Sequence, residues 1–147
     1  MPNYPLCCVL VGTGMQDEES IGTHRVRVDG DTVLTRYVGV PELDHVKEIH
    51  LRFERTLAEH GRLFVINDMR RTGIPSTETR HFIARWGQEH PVAGVVNFGA
   101  SLPIRMLQGL VIRAASLLGK KIPVVPVNLT TEAEALAWVD ARRRSAR

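Results

Sequence analysis

Leu63-Phe64-Val65-Ile66-Asn67 sets four apolar residues in a row between Gly61-Arg62 and the acid Asp68. The run has strand length and no alternation, as expected of a strand buried on both faces at the centre of an α/β sheet. On its N-terminal side the pattern is helical. Pro41 stands near a helix start with Glu42 and Asp44 in the first turn, and Leu43, Val46, His50, Phe53 and Leu57 recur at three- and four-residue spacing until Gly61. On its C-terminal side a second helix is expected. Pro75 suits its first position, Thr79, Phe82, Ile83 and Trp86 form one face, and Gly87 and Pro91 close it.

Further out, residues 24–29 alternate polar with apolar, Gly30-Asp31 supplies a turn, and residues 32–38 read as the second strand of a hairpin. Residues 92–98 form another strand, and Ser101 stands at the cap of the helix after it. Pro123-Val124-Val125-Pro126-Val127 is a last strand, confined to a sheet edge by its prolines. Thr131 opens a closing helix with Ala135, Leu136 and Val139 inward, Glu132 and Glu134 at its positive end, and Arg142, Arg143 and Arg144 at its negative end. The fold class is α/β: a mixed five-stranded sheet opened by an antiparallel hairpin, four helices, and right-handed crossovers.

The chain has 147 residues, 44% hydrophobic and 24% charged, which suits one ordinary globular core. Residues 21–147 are read as a single domain and residues 1–20 as an N-terminal extension, with Met15 as an alternative start. Cys7 and Cys8 are adjacent, so they make neither a disulfide framework nor a spaced metal site. Residues 6–11 are apolar but short and lack a basic flank, so no secretion signal is read and the expected compartment is the reducing cytoplasm. Net charge is +3, with Arg142, Arg143, Arg144 and Arg147 crowding the C-terminus. That run is expected as a solvated helix end, and nucleic acid is not expected as a partner.

No motif assembles a reaction. Gly12-Thr13-Gly14 lacks the third glycine of a dinucleotide loop, and Asp17, Glu18 and Glu19 stand close to where a pyrophosphate would approach. Gly99-Ala100-Ser101-Leu102-Pro103 occupies the place of a nucleophile elbow, but Pro103 replaces its last glycine and all six histidines precede Ser101. Ser101 is therefore read as a cap, and the same helix start, with Gly99 and Arg105, as a candidate contact for a small anion or ligand. Glu78 and His81 have no second pair to complete a metal site. His50 lies inside an apolar stripe and is expected to be packed and hydrogen-bonded. The chain is read as a non-enzyme with no catalytic residue, metal or cofactor.

Residues 102–118 are apolar around most of the helical circumference and are interrupted only by Arg105, Gln108, Arg113 and Ser116 among strongly polar positions. Seventeen residues at 1.5 Å rise span about 26 Å, and each arginine costs roughly 2.5–3.5 kcal/mol inside a bilayer. A transmembrane segment is thus excluded. A helix this apolar is expected to hide more than one face, with Met106, Leu107, Leu110, Val111 and Leu118 as candidate contacts. Burial or a homodimer, a small hydrophobic ligand of lipid type, a membrane surface and a protein partner are the alternatives.

Val33-Leu34-Thr35-Arg36-Tyr37-Val38-Gly39 before the first helix, the central strand ending in Asp68, and Glu132-Ala133-Glu134-Ala135-Leu136-Ala137-Trp138-Val139 in the closing helix resemble the STAS family in its SpoIIAA-like branch, a group sometimes described together with the lipid-binding SEC14 fold. The resemblance runs from about Thr23 to Arg143. It implies a regulatory domain that binds a protein or ligand and performs no chemistry. In the anti-sigma-factor antagonists of that family a serine or threonine is phosphorylated near the start of the helix after the central strand, within an Asp-Ser-(Ser/Thr)-Gly type motif. Here the region reads Asp68-Met69-Arg70-Arg71-Thr72-Gly73-Ile74-Pro75-Ser76-Thr77, without that motif. Asp68, Arg70, Arg71, Thr72, Ser76 and Thr77 are therefore the candidate regulatory residues. Phosphate on Ser76 or Thr77 would meet the helix start, with Arg70, Arg71 and Arg80 as expected partners.

Overall fold

The computed structural model describes residues 18–146. The readings placed on Cys7, Cys8, Gly12-Thr13-Gly14 and Met15 lie outside the described residues. The elements run β1 (Glu19–Ile21), β2 (His24–Asp29), β3 (Thr32–Gly39), α1 (Leu43–His60), β4 (Phe64–Thr72), α2 (Thr77–Glu89), β5 (Gly94–Phe98), α3 (Leu102–Leu117), β6 (Val127–Leu129) and α4 (Glu132–Ser145). The sheet has six strands rather than the expected five, in the order β1-β2-β3-β4-β5-β6. The added strand is β1, which pairs antiparallel with β2 and is too short to carry a sequence period. β2 and β3 form the antiparallel hairpin, and β3 through β6 are parallel.

Sequential parallel strands joined by right-handed crossovers place successive helices on one face of a sheet. Val46, Ile49, His50, Phe53 and Thr56 of α1 recur at helical spacing and are buried. Ile49 and Phe53 pack with Trp86 of α2 over Val33 and Val65. α4 covers the other face, with Ala135 and Val139 against Leu34, Phe64, Ile66, Val96 and Phe98. Each buried Val, Leu, Ile or Phe among them stabilises the fold by roughly 1.5–3 kcal/mol. The double coverage explains why the central run is apolar without a break. Leu136, expected to face inward, is exposed: the face α4 applies to the sheet is narrow and carried by Ala135 and Val139.

Helix ends follow their local chemistry. Gly61 closes α1 at φ 68°, with its N–H donating to the Leu57 carbonyl, the left-handed cap that glycine adopts without a Cβ penalty. α2 starts at Thr77, two residues later than Pro75 suggested. Ser76 is its N-cap, and the hydroxyl accepts from the Thr79 N–H, so Pro75 stays outside the helix. Thr131 caps α4 in the same way through the Glu134 N–H. The last strand falls at residues 127–129 rather than 123–127, because Pro123 and Pro126 bring no N–H to the ladder. Arg143, read as part of a solvated tail, turns back with Arg62 onto Asp31 at 2.6 and 2.7 Å and ties α4 to the hairpin turn.

Candidate functional site

The first half of the expected regulatory loop proves to be strand. β4 continues through Asp68, Arg70 and Arg71 to Thr72, which pairs with Gly39 of β3, and the Gly73 N–H then donates to the Gly39 carbonyl. The register explains how. Arg36 faces Asp68 and Val38 faces Arg71, so β4 fits one more residue than β3 into the same interval. This is a β-bulge, which twists a strand locally and re-aims its side chains.

Asp68 sits at the bulge and is almost fully buried. Its Oδ1 accepts from the Arg70 backbone N–H at 3.1 Å and from Arg70 Nε at 3.0 Å, and its Oδ2 accepts from Arg70 Nη2 at 2.7 Å and Arg36 Nε at 3.1 Å. Burial alone would raise its pKa. The hydrogen bonds from Arg70, then Arg36, outweigh burial and hold the carboxyl below its ordinary range.

Arg70 joins the two loops singled out in the sequence. Its side chain is 57% exposed, yet its guanidinium stands 5.5 Å from the Phe98 ring centre, and its stem crosses Gly99 so closely that a Cβ there would lie 2.3 Å from Cγ. Gly99 has φ +69°. The left-handed backbone favours glycine, and the arginine stem above it leaves no room for a side chain. Arg36, which sequence reasoning missed, completes the cluster and also reaches Glu18 at 3.3 Å. Asp68, Arg70, Arg36 and Gly99 are therefore brought together at the C-terminal rim of the parallel strands, where α/β sheets present their ligand-binding loops.

The remaining candidates are placed separately. Thr72 Oγ1 donates to the Gly73 carbonyl at 3.0 Å, and Arg71 is exposed. Ser76 and Thr77 are exposed at the start of α2, with the Ser76 hydroxyl engaged as the cap. Of the arginines expected beside them, Arg80 reaches the turn, donating to the Pro75 carbonyl at 2.9 Å and to Thr77 Oγ1 at 3.1 Å. Arg70 is drawn to Asp68 instead. Ser101 is the N-cap of α3 without a side-chain cap bond, and Arg105 is exposed one turn on. Met106, Leu110, Val111 and Leu118 are exposed and Leu107 is half-buried. Ile104 is the one buried residue of α3, so among the described residues nothing hides more than one of its faces. His50 is buried: Nδ1–H donates to the Val46 carbonyl at 2.8 Å and the ring packs on Phe53, Phe82 and Trp86. Among the described residues, no group of three or more His, Cys, Asp or Glu side chains could hold a metal ion.

Chemically the rim offers a fixed, partly exposed guanidinium held by a buried carboxylate. Such a group recognises a carboxylate or phosphate by paired N–H donors.

No family model matches the sequence, and no curated protein matches it. Solved structures similar to the fold include the following two. One is the anti-sigma factor antagonist SpoIIAA in its unphosphorylated form, with a TM-score of 0.54 and 14% identity over 80% of this chain and 98% of that one. The other is an uncharacterized protein of the DUF3478 family from Shewanella loihica PV-4, with a TM-score of 0.54 and 18% identity over 86% of this chain and 98% of that one. At such identities the likeness is one of architecture, and the chain has a SpoIIAA-like fold.

Proposed function

We propose that the chain is a non-enzymatic, cytoplasmic regulatory domain that binds a protein partner through the rim formed by Arg70, Arg71, the connection at residues 73–77 and the helix start at residues 99–105. The observation that carries this reading is the posture of Arg70. Its guanidinium is anchored on buried Asp68 and supported by Phe98 and Gly99, while more than half of the side chain remains exposed. A side chain ordered before contact loses less freedom on binding, so the arrangement favours recognition of an acidic or phosphorylated segment. The fold it shares with SpoIIAA, an anti-sigma factor antagonist, supports a role in binding rather than catalysis.

A phosphorylation switch at Ser76 or Thr77 belongs to the same reading. Phosphate there would lie at the start of α2, whose amides and positive dipole favour an anion, with Arg80 already at the turn. Quantitative affinity capture from the protein's own cells, comparing the wild type with Arg70→Glu at matched folding, tests the proposal. A partner retained by the wild type and lost by the variant is the expected result. Equal capture by both would refute it.

A further inference from the structure

We propose that α3 is an interfacial helix that docks the chain on an anionic lipid surface. Leu102, Met106 and Leu110 follow at four-residue spacing, and Leu117 lies two turns beyond Leu110, so all four share one stripe. They are 61%, 61%, 61% and 88% exposed. Ile104, the one buried residue, lies on the other side of the helix. Leu118 and Val125, which follow the helix in sequence, are also exposed.

Charge selects what covers this face. No Asp or Glu occurs between Glu89 and Glu132, although the stretch contains Arg105, Arg113, Lys120 and Lys121. Arg113 interrupts the apolar stripe itself, and Lys120-Lys121 follow its end. A second copy presenting the same face would set these cations against their like, with no carboxylate in the segment to pair them. Lipid phosphates neutralise them, and the aliphatic stems of arginine and lysine lie along the acyl boundary while their heads stay in the headgroup layer. No helix among the described residues is long and apolar enough to cross a membrane. α3 therefore rests in the plane of the interface. The proposal stands independently of partner binding at the Arg70 rim.

Flotation of the full chain with phosphatidylcholine vesicles, with and without phosphatidylserine, tests it. The protein is expected to float with the mixed vesicles and not with phosphatidylcholine alone. Raising salt from about 0.1 M to about 1 M, which shortens the screening length from about 10 Å to about 3 Å, should release it. Leu110→Glu and Leu117→Glu each change an exposed residue and should lower the floated fraction about tenfold or more with an unchanged circular dichroism spectrum. Failure to float with either vesicle, or flotation of both variants at the wild-type level, would overturn the proposal. Light scattering that reveals a dimer dissociated by Leu110→Glu, with no flotation, would overturn it in favour of a second copy.

Discussion

Replacing Asp68 by alanine removes the acceptor shared by Arg36, the Arg70 side chain and the Arg70 backbone N–H. Removing one member of a buried charged network leaves its partners uncompensated, and part of that cost is relieved here because both arginines reach solvent. The expected loss is about 2–3 kcal/mol, read from the midpoint of urea unfolding at neutral pH. His50 makes a second prediction. Burial pushes it down to about 4, against a smaller opposing effect of its bond to the Val46 carbonyl. An unfolded histidine protonates near about 6.5, so between these values the unfolded chain binds a proton that the folded chain does not. Stability should therefore fall on acidification through this window, by up to about 3 kcal/mol from His50, and His24, lowered by its own burial and then by His45, acts in the same sense. Unfolding curves recorded between about pH 7 and about pH 4.5 check this, and a flat stability profile would contradict it. The packing of His50 was legible from its place in an apolar stripe. Arg36 was not, because its partner lies across a strand pairing that local sequence does not encode.

At the level of elements, β4 shows where an apolar run stops being informative. Residues 63–67 look buried and were readable as a strand, but Asp68, Arg70, Arg71 and Thr72 are polar, and they are extended through the bulged pairing with β3, with Asp68 also paired to Phe98 of β5. The start of α2 has two local candidates, Pro75 and Ser76, and the serine prevails because its hydroxyl satisfies the Thr79 N–H. Ser76→Ala should cost about 1 kcal/mol, while Ser76→Asp, which retains a cap acceptor and adds a favourable charge, should cost little. Urea unfolding of the two variants measures the difference. Equal destabilisation by both would mean that the cap does not set this helix end. α3 was recognisable as an apolar helix, yet composition does not reveal what lies against it. Its exposure became visible only once the sheet and the other helices had been placed.

For the whole molecule, a hairpin followed by alternating strands and helices was enough to read the mixed sheet and its four helices. The sixth strand escaped because three residues carry no period, and β6 was misplaced because the prolines that marked an edge also excluded themselves from it. β4 and β5 run side by side and parallel, so the approach of Arg70 to Gly99 is a product of topology and not of either local sequence alone. Partners are therefore expected to gather at one end of the sheet. A photo-cross-linking residue placed at exposed Arg71, on that rim, and another at exposed Glu59, near the C-terminal end of α1, compare the two ends directly in the protein's own cells. A specific protein adduct from position 71 and none from position 59 is the predicted result. Adducts from position 59 with none from position 71 would contradict the claim that the rim is the binding surface.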